Sequence, residues 1–98
     1  MKSGSSRKIL LVEDEALISM TETLFLKSKG YTVIPASTGD KALKFIQEQD
    51  DIDLVLMDIE LGKGISGAET AEKILAVKDI PIVFLTSYNE QVIVEQVN

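Results

Sequence analysis

Asp58 closes the run "LVLMD", in which four apolar residues lead straight into a carboxylate, and Glu60 adds a second acid two positions later. A carboxylate at the mouth of an apolar strand must be solvated, paired, bound to a cation or used as a reactant, because burying it uncompensated is costly. The same arrangement recurs in "KILLVED", where Glu13 and Asp14 end an apolar run. A third run, "IPIVFL", leads into Thr86 and Ser87 and adds hydroxyls to the set. Carboxylates brought together repel one another unless a cation is present. Hard oxygen ligands with room left for water favour Mg²⁺. A metal-neutralised carboxylate can act as a nucleophile toward phosphorus, so Asp58 is the candidate phosphoryl acceptor, with the Thr86 hydroxyl available to a phosphoryl oxygen. Taken singly, Glu13 and Asp14 read as solvated turn acids, Glu60 as a loop acid, Thr86 as a strand-end cap and Ser87 as a small turn residue. It is their combination that points to a site.

These residues converge only if the elements behind them do. "RKILLVED", "YTVIPA", "DIDLVLMD" and "IPIVFLTS" read as four strands, the nearly continuous apolar ones buried on both faces. Pro35 marks the second as an edge strand or a strand end. Between them the period changes. Leu17, Met20, Leu24 and Phe25 recur at helical spacing before Gly30, and Ala42, Leu43 and Ile46 share a stripe in "TGDKALKFIQEQ". Ser66 stands three residues before Glu69, the capping-box spacing, and opens a third helix carrying Ala71, Ile74 and Leu75. Phe25, Phe45 and Phe84 are expected in the core. Strands alternating with helices predict an α/β fold with a doubly wound parallel sheet and right-handed crossovers. Under the flavodoxin-like order 2-1-3-4-5, strands 1 and 3 are neighbours, and Glu13, Asp14 and Asp58 meet beyond their carboxyl ends.

Composition narrows the chemistry further. The 98 residues, 45% hydrophobic and 27% charged, fit one small domain, expected over residues 7–98 behind a flexible leader at 1–6. The absence of cysteine and histidine excludes disulfides, thiol catalysis, the usual zinc sites and serine–histidine triads. A formal charge of −6 argues against a nucleic-acid surface. No apolar run approaches the ~20 residues of a membrane span, and no signal peptide is visible, so a cytoplasmic location is expected.

From "KILLVEDE" through "VLMDIELGKGISG" to "PIVFLTS", the chain resembles the receiver domain of two-component response regulators. The resemblance implies a phosphoacceptor in a phosphorelay, a conformational switch rather than an enzyme. It implies that Asp58 is phosphorylated, that Glu13, Asp14, Asp58 and the backbone carbonyl of Glu60 hold Mg²⁺, and that Thr86 is the switch hydroxyl. Ser87 matches the small residue that controls access to the phosphoryl group. The partner implied is a histidine kinase or phosphotransfer protein, because the chain has no histidine to act as its own donor. The "MDIELGKGISG" loop looks most like that of receivers attached to or working with sensor kinases. The loop after the third strand departs from the family pattern: Gly62 stands where a proline is common, and a glycine arrives one residue late, at Gly67.

A receiver continues into a fifth strand and helix, with a lysine after that strand. Here the sequence stops at Asn98, and neither Lys63 nor Lys78 fits the lysine's place. The expected sheet is therefore 2-1-3-4 with the usual fifth strand missing. Its fourth strand would be an open edge, available to a homodimer through that edge or through the C-terminal "QVIVEQV", which has the β-branched content of a pairing strand. Two other functions fit part of the pattern: a receiver-like interaction module that works without phosphorylation, and a phosphohydrolase of the haloacid-dehalogenase type, which also places an acid two residues after a nucleophilic Asp. Mg²⁺ binding that vanishes in Asp58→Asn separates the first from a competent receiver; turnover of a phosphate ester marks the second.

Overall fold

The apolar runs form strands and the segments of helical period wrap them. The computed structural model describes residues 6–62, 64–85 and 91–94, the last four as backbone only. Along the chain lie β1 (Lys8–Val12), α1 (Ala16–Ser28), β2 (Thr32–Ala36), α2 (Gly39–Glu48), β3 (Leu54–Asp58), α3 (Gly67–Val77), β4 (Ile82–Leu85) and β5 (Gln91–Val94). Of the expected leader, residues 1–5 lie outside the described residues. No helix among the described residues is long and apolar enough to cross a membrane.

The sheet order is β2-β1-β3-β4-β5. Its first four strands are parallel, in the expected order 2-1-3-4. The expected open edge on β4 is not there. Gln91–Val94 pairs with it antiparallel, Ile82 opposite Val94 and Leu85 opposite Gln91. This corrects the expectation of an exposed β4 edge: the chain satisfies those backbone groups itself, using the β-branched "QVIV". Pro35, in β2, lies on the sheet's other outer strand.

Alternation along the strands divides the core. Leu10 and Val12 of β1, Val55 and Met57 of β3 and Ile82 of β4 point to one face, where they pack with Ala42 and Ile46 of α2 and Ala71 and Ile74 of α3. Both helices are capped as their sequences require. The Thr38 hydroxyl accepts from the Lys41 amide at 3.1 Å, and the Ser66 hydroxyl accepts from the Glu69 amide at 3.0 Å. Of the aromatics, Phe45 and Phe84 pack half-buried against this core.

The opposite face is covered differently. The stripe of α1 turned inward consists of Ser19, Glu22, Thr23 and Leu26, all half-buried. The expected apolar stripe points outward, with Leu17 71%, Met20 57%, Leu24 62% and Phe25 60% exposed. The expectation that Phe25 lies in the core is thus corrected. Apolar residues occupy both flanks of this helix, so spacing alone does not say which flank turns inward.

Candidate functional site

Register builds the site. β1 and β3 are adjacent and parallel with Val12 opposite Met57, so Glu13, one residue past β1, comes level with Asp58, the last residue of β3. Asp14 follows on the same turn. Carboxylate oxygens of Glu13, Asp14 and Asp58 all lie within 4.8 Å of one another. This is the convergence expected from the sequence, formed at the carboxyl ends of parallel strands where open α/β sheets place their ligands.

Backbone amides hold each acid. The Glu15 amide donates to Glu13 Oε2 at 3.1 Å, the Glu60 amide to Asp58 Oδ1 at 3.1 Å, and the Gly62 amide to Asp14 Oδ2 at 2.8 Å. Glu60 thus contributes its backbone to the crevice wall, while its exposed side chain lies outside the three-acid group.

Two glycines allow this closeness. A Cβ at Gly62 would stand 2.6 Å from Asp14 Oδ2 and push that carboxylate aside, so the missing side chain lets Asp14 sit against the loop after β3. At Gly67 a Cβ would meet the carbonyl oxygens of Asp58 and Ile59 at 2.5 and 2.9 Å, which lets α3 begin directly against the end of β3. Both lie between the end of β3 and the first turn of α3, where the sequence departs from the expected receiver pattern.

The crevice is lined by Glu13, Asp14, Glu15, Ile18, Glu22, Asp58, Glu60, Leu61, Gly62 and Leu85. Burial pushes the Glu13 carboxyl up to about 7; the Glu15 amide opposes the shift, and the neighbouring charges of Asp58 and Glu22 add to it. Burial, and then the Asp58 charge, also raise Glu22. Glu22 was not among the residues expected in the site. The sequence signal was slight, a lone acid within "ALISMTETLFL", readily read as part of a solvated helix surface. Thr86 and Ser87, expected beside Asp58, lie outside the described residues, as does Lys63. Lys78 is engaged elsewhere, its ammonium donating to the Asp50 carbonyl at 2.9 Å.

The donor set suits Mg²⁺. Three carboxylate oxygens close enough to share one ion, in an open crevice that leaves room for water, match the preference of this hard cation for a few carboxylates and retained waters.

The description response regulator receiver domain attaches to the family whose model matches residues 9–98 of this chain, and the chain belongs to that family. Among curated relatives, the phyllosphere-induced regulator PhyR of Methylorubrum extorquens is 34% identical over 93% of this chain and 34% of its own length. The transcriptional regulatory protein PdtaR of Mycobacterium tuberculosis is 34% identical over 92% of this chain and 43% of its own. The chain therefore spans well under half the length of these relatives. The response regulator TrrA of Thermotoga maritima, solved in complex with Mg²⁺ and BeF, superposes with a TM-score of 0.77 at 39% identity, over 85% of this chain and 71% of that one. TrrA has also been solved in complex with the histidine kinase ThkA, where the match has a TM-score of 0.77 over 86% of this chain and 72% of that one.

Proposed function

We propose that this chain is the phosphoacceptor of a two-component relay, taking a phosphoryl group on Asp58 in a Mg²⁺-dependent step that switches its contacts with partners. The observation behind this reading is the convergence of Glu13, Asp14 and Asp58 at neighbouring strand ends. That TrrA binds both Mg²⁺ with BeF and a histidine kinase supports the same reading by similarity.

Glu13, Asp14, Asp58 and the backbone carbonyl of Glu60 would hold the ion. Bound Mg²⁺ supplies positive charge that lets three carboxylates coexist and draws phosphoryl oxygens into the crevice. The chain's own residues do the rest. The Glu60 amide holds Asp58 Oδ1 and so fixes the direction of the carboxylate. An oxygen of Asp58 attacks the phosphorus of a phosphohistidine; the new P–O bond forms as the P–N bond breaks, and the imidazole nitrogen leaves with the electron pair. Thr86 follows directly on Leu85 at the end of β4, and its hydroxyl hydrogen-bonds the transferred group. Ser87, by its small size, controls access to that group. The chain is thus a switch and not an enzyme that turns over substrates, catalysing at most its own phosphorylation and dephosphorylation. Its donor is a histidine kinase or phosphotransfer protein. The reaction belongs in the cytoplasm, where the nucleotide that feeds such kinases is found.

The test is phosphotransfer from a histidine kinase charged with radiolabelled ATP. Label should pass to the chain with Mg²⁺ present, and neither in chelator nor to Asp58→Asn. Transfer to Asp58→Asn would assign the acceptor elsewhere.

A further inference from the structure

Glu22 enters the crevice from α1, an element that contributes none of the three clustered acids. It lines the crevice together with Glu13, Asp14 and Asp58. Its Oε1 is buried and has no hydrogen-bond partner among the described residues. On its other side the walls are apolar: Phe25, Leu26, Leu56, Val83 and Leu85. A carboxylate in such surroundings is poorly screened, and its field reaches further than that of a solvated surface acid. That reach is visible at Glu13, whose carboxyl the charge of Glu22 helps to raise, and Glu22 in turn feels the charge of Asp58. Glu22 is nevertheless not among the acids whose oxygens could share one ion.

We propose that Glu22 is the crevice's fourth carboxylate, strengthening the binding of a divalent cation by its charge without ligating it. The inference rests on the reading of Glu13, Asp14 and Asp58 as a Mg²⁺ site. Without the ion, Glu22 adds repulsion to a cluster that already repels itself. With the ion, the same charge becomes attraction, so the free energy gained on binding increases. Glu22 is a positioning residue in this sense: it sets the field in which the ligands act.

The experiment is calorimetric titration of the full chain with Mg²⁺, comparing wild type with Glu22→Gln, Glu22→Asp and Glu72→Gln, the last removing an exposed acid of α3. Glu22→Gln should bind Mg²⁺ roughly threefold to tenfold more weakly, the size expected for one poorly screened charge near a divalent ion. Glu22→Asp should stay within about twofold of wild type and Glu72→Gln should be unchanged, since exposed charges far from the ion are screened. In chelator, Glu22→Gln should melt at or above the wild-type temperature, because a repulsive charge has gone. The proposal is overturned if Glu22→Gln binds as tightly as wild type, if Glu22→Asp loses as much as Glu22→Gln, or if Glu22→Gln melts well below wild type without metal. Failure of the wild type to bind Mg²⁺ would instead overturn the reading of the crevice itself, and this inference with it.

Discussion

The amide of Gly62 donates to Asp14 Oδ2 at 2.8 Å, tying the loop after β3 to the acidic turn after β1. The contact joins segments 48 residues apart in sequence and fixes one wall of the crevice against the other. A Cβ at residue 62 would stand 2.6 Å from the same oxygen. Gly62→Ala should therefore displace the Asp14 carboxylate while leaving the core intact. The expected result is Mg²⁺ affinity lowered by about tenfold, as for loss of a group that orients a metal ligand, with a melting temperature within a few degrees of wild type in chelator. Titration and thermal melting check the two halves separately.

At Gly67 the neighbours are backbone carbonyls, which cannot swing aside as a side chain can. Gly67→Ala gains helix propensity but forces α3 away from the end of β3. Overpacking of this kind typically costs about 1–3 kcal/mol, and urea denaturation should show a net loss. Ser66→Ala, one residue earlier, should cost about 1 kcal/mol through loss of the hydroxyl that accepts from the Glu69 amide.

Glu13 makes the metal-free protein respond to pH in the direction opposite to an ordinary paired carboxylate. Its carboxyl sits at about 7 in the folded chain against an ordinary 4.5, so between those values the folded state holds a proton that the unfolded state has released. Stability in chelator should fall as pH rises through that window, by roughly 1–3 kcal/mol at most. Saturating Mg²⁺ should flatten the fall, because the ion favours the ionised carboxylate. Urea midpoints at the two ends of the window, each with chelator and with Mg²⁺, test the sign.

Leu10 is fully buried in β1, on the sheet face closed by α2 and α3. Leu10→Ala should cost about 2–5 kcal/mol. Leu24, 62% exposed on α1, should tolerate Leu24→Ala with a loss near zero. Equal losses at the two positions would mean that α1 is turned with its apolar stripe inward.

What the sequence made legible follows from the strength of each local signal. Four apolar runs separated by segments of helical period left little choice but a parallel sheet, and the acids at the ends of runs one and three then had to meet. The capping role of Ser66 was readable because its geometry is local. The facing of α1 was not readable, because Leu17, Ile18, Met20, Leu24 and Phe25 surround the helix and a period cannot select among several apolar flanks. Glu22 escaped notice for the same reason, since its place in the crevice depends on how that helix is turned. The pairing of Gln91–Val94 with β4 was legible only as strand propensity in "QVIV", because propensity names no partner.

The most direct measurement is intact mass after incubation with Mg²⁺ and a small acyl-phosphate donor, with Asp58→Asn and chelator samples run alongside. The account predicts a gain of one phosphoryl group in the wild type alone. A gain that persists in Asp58→Asn, or in chelator, would contradict the assignment of Asp58 as the metal-dependent acceptor.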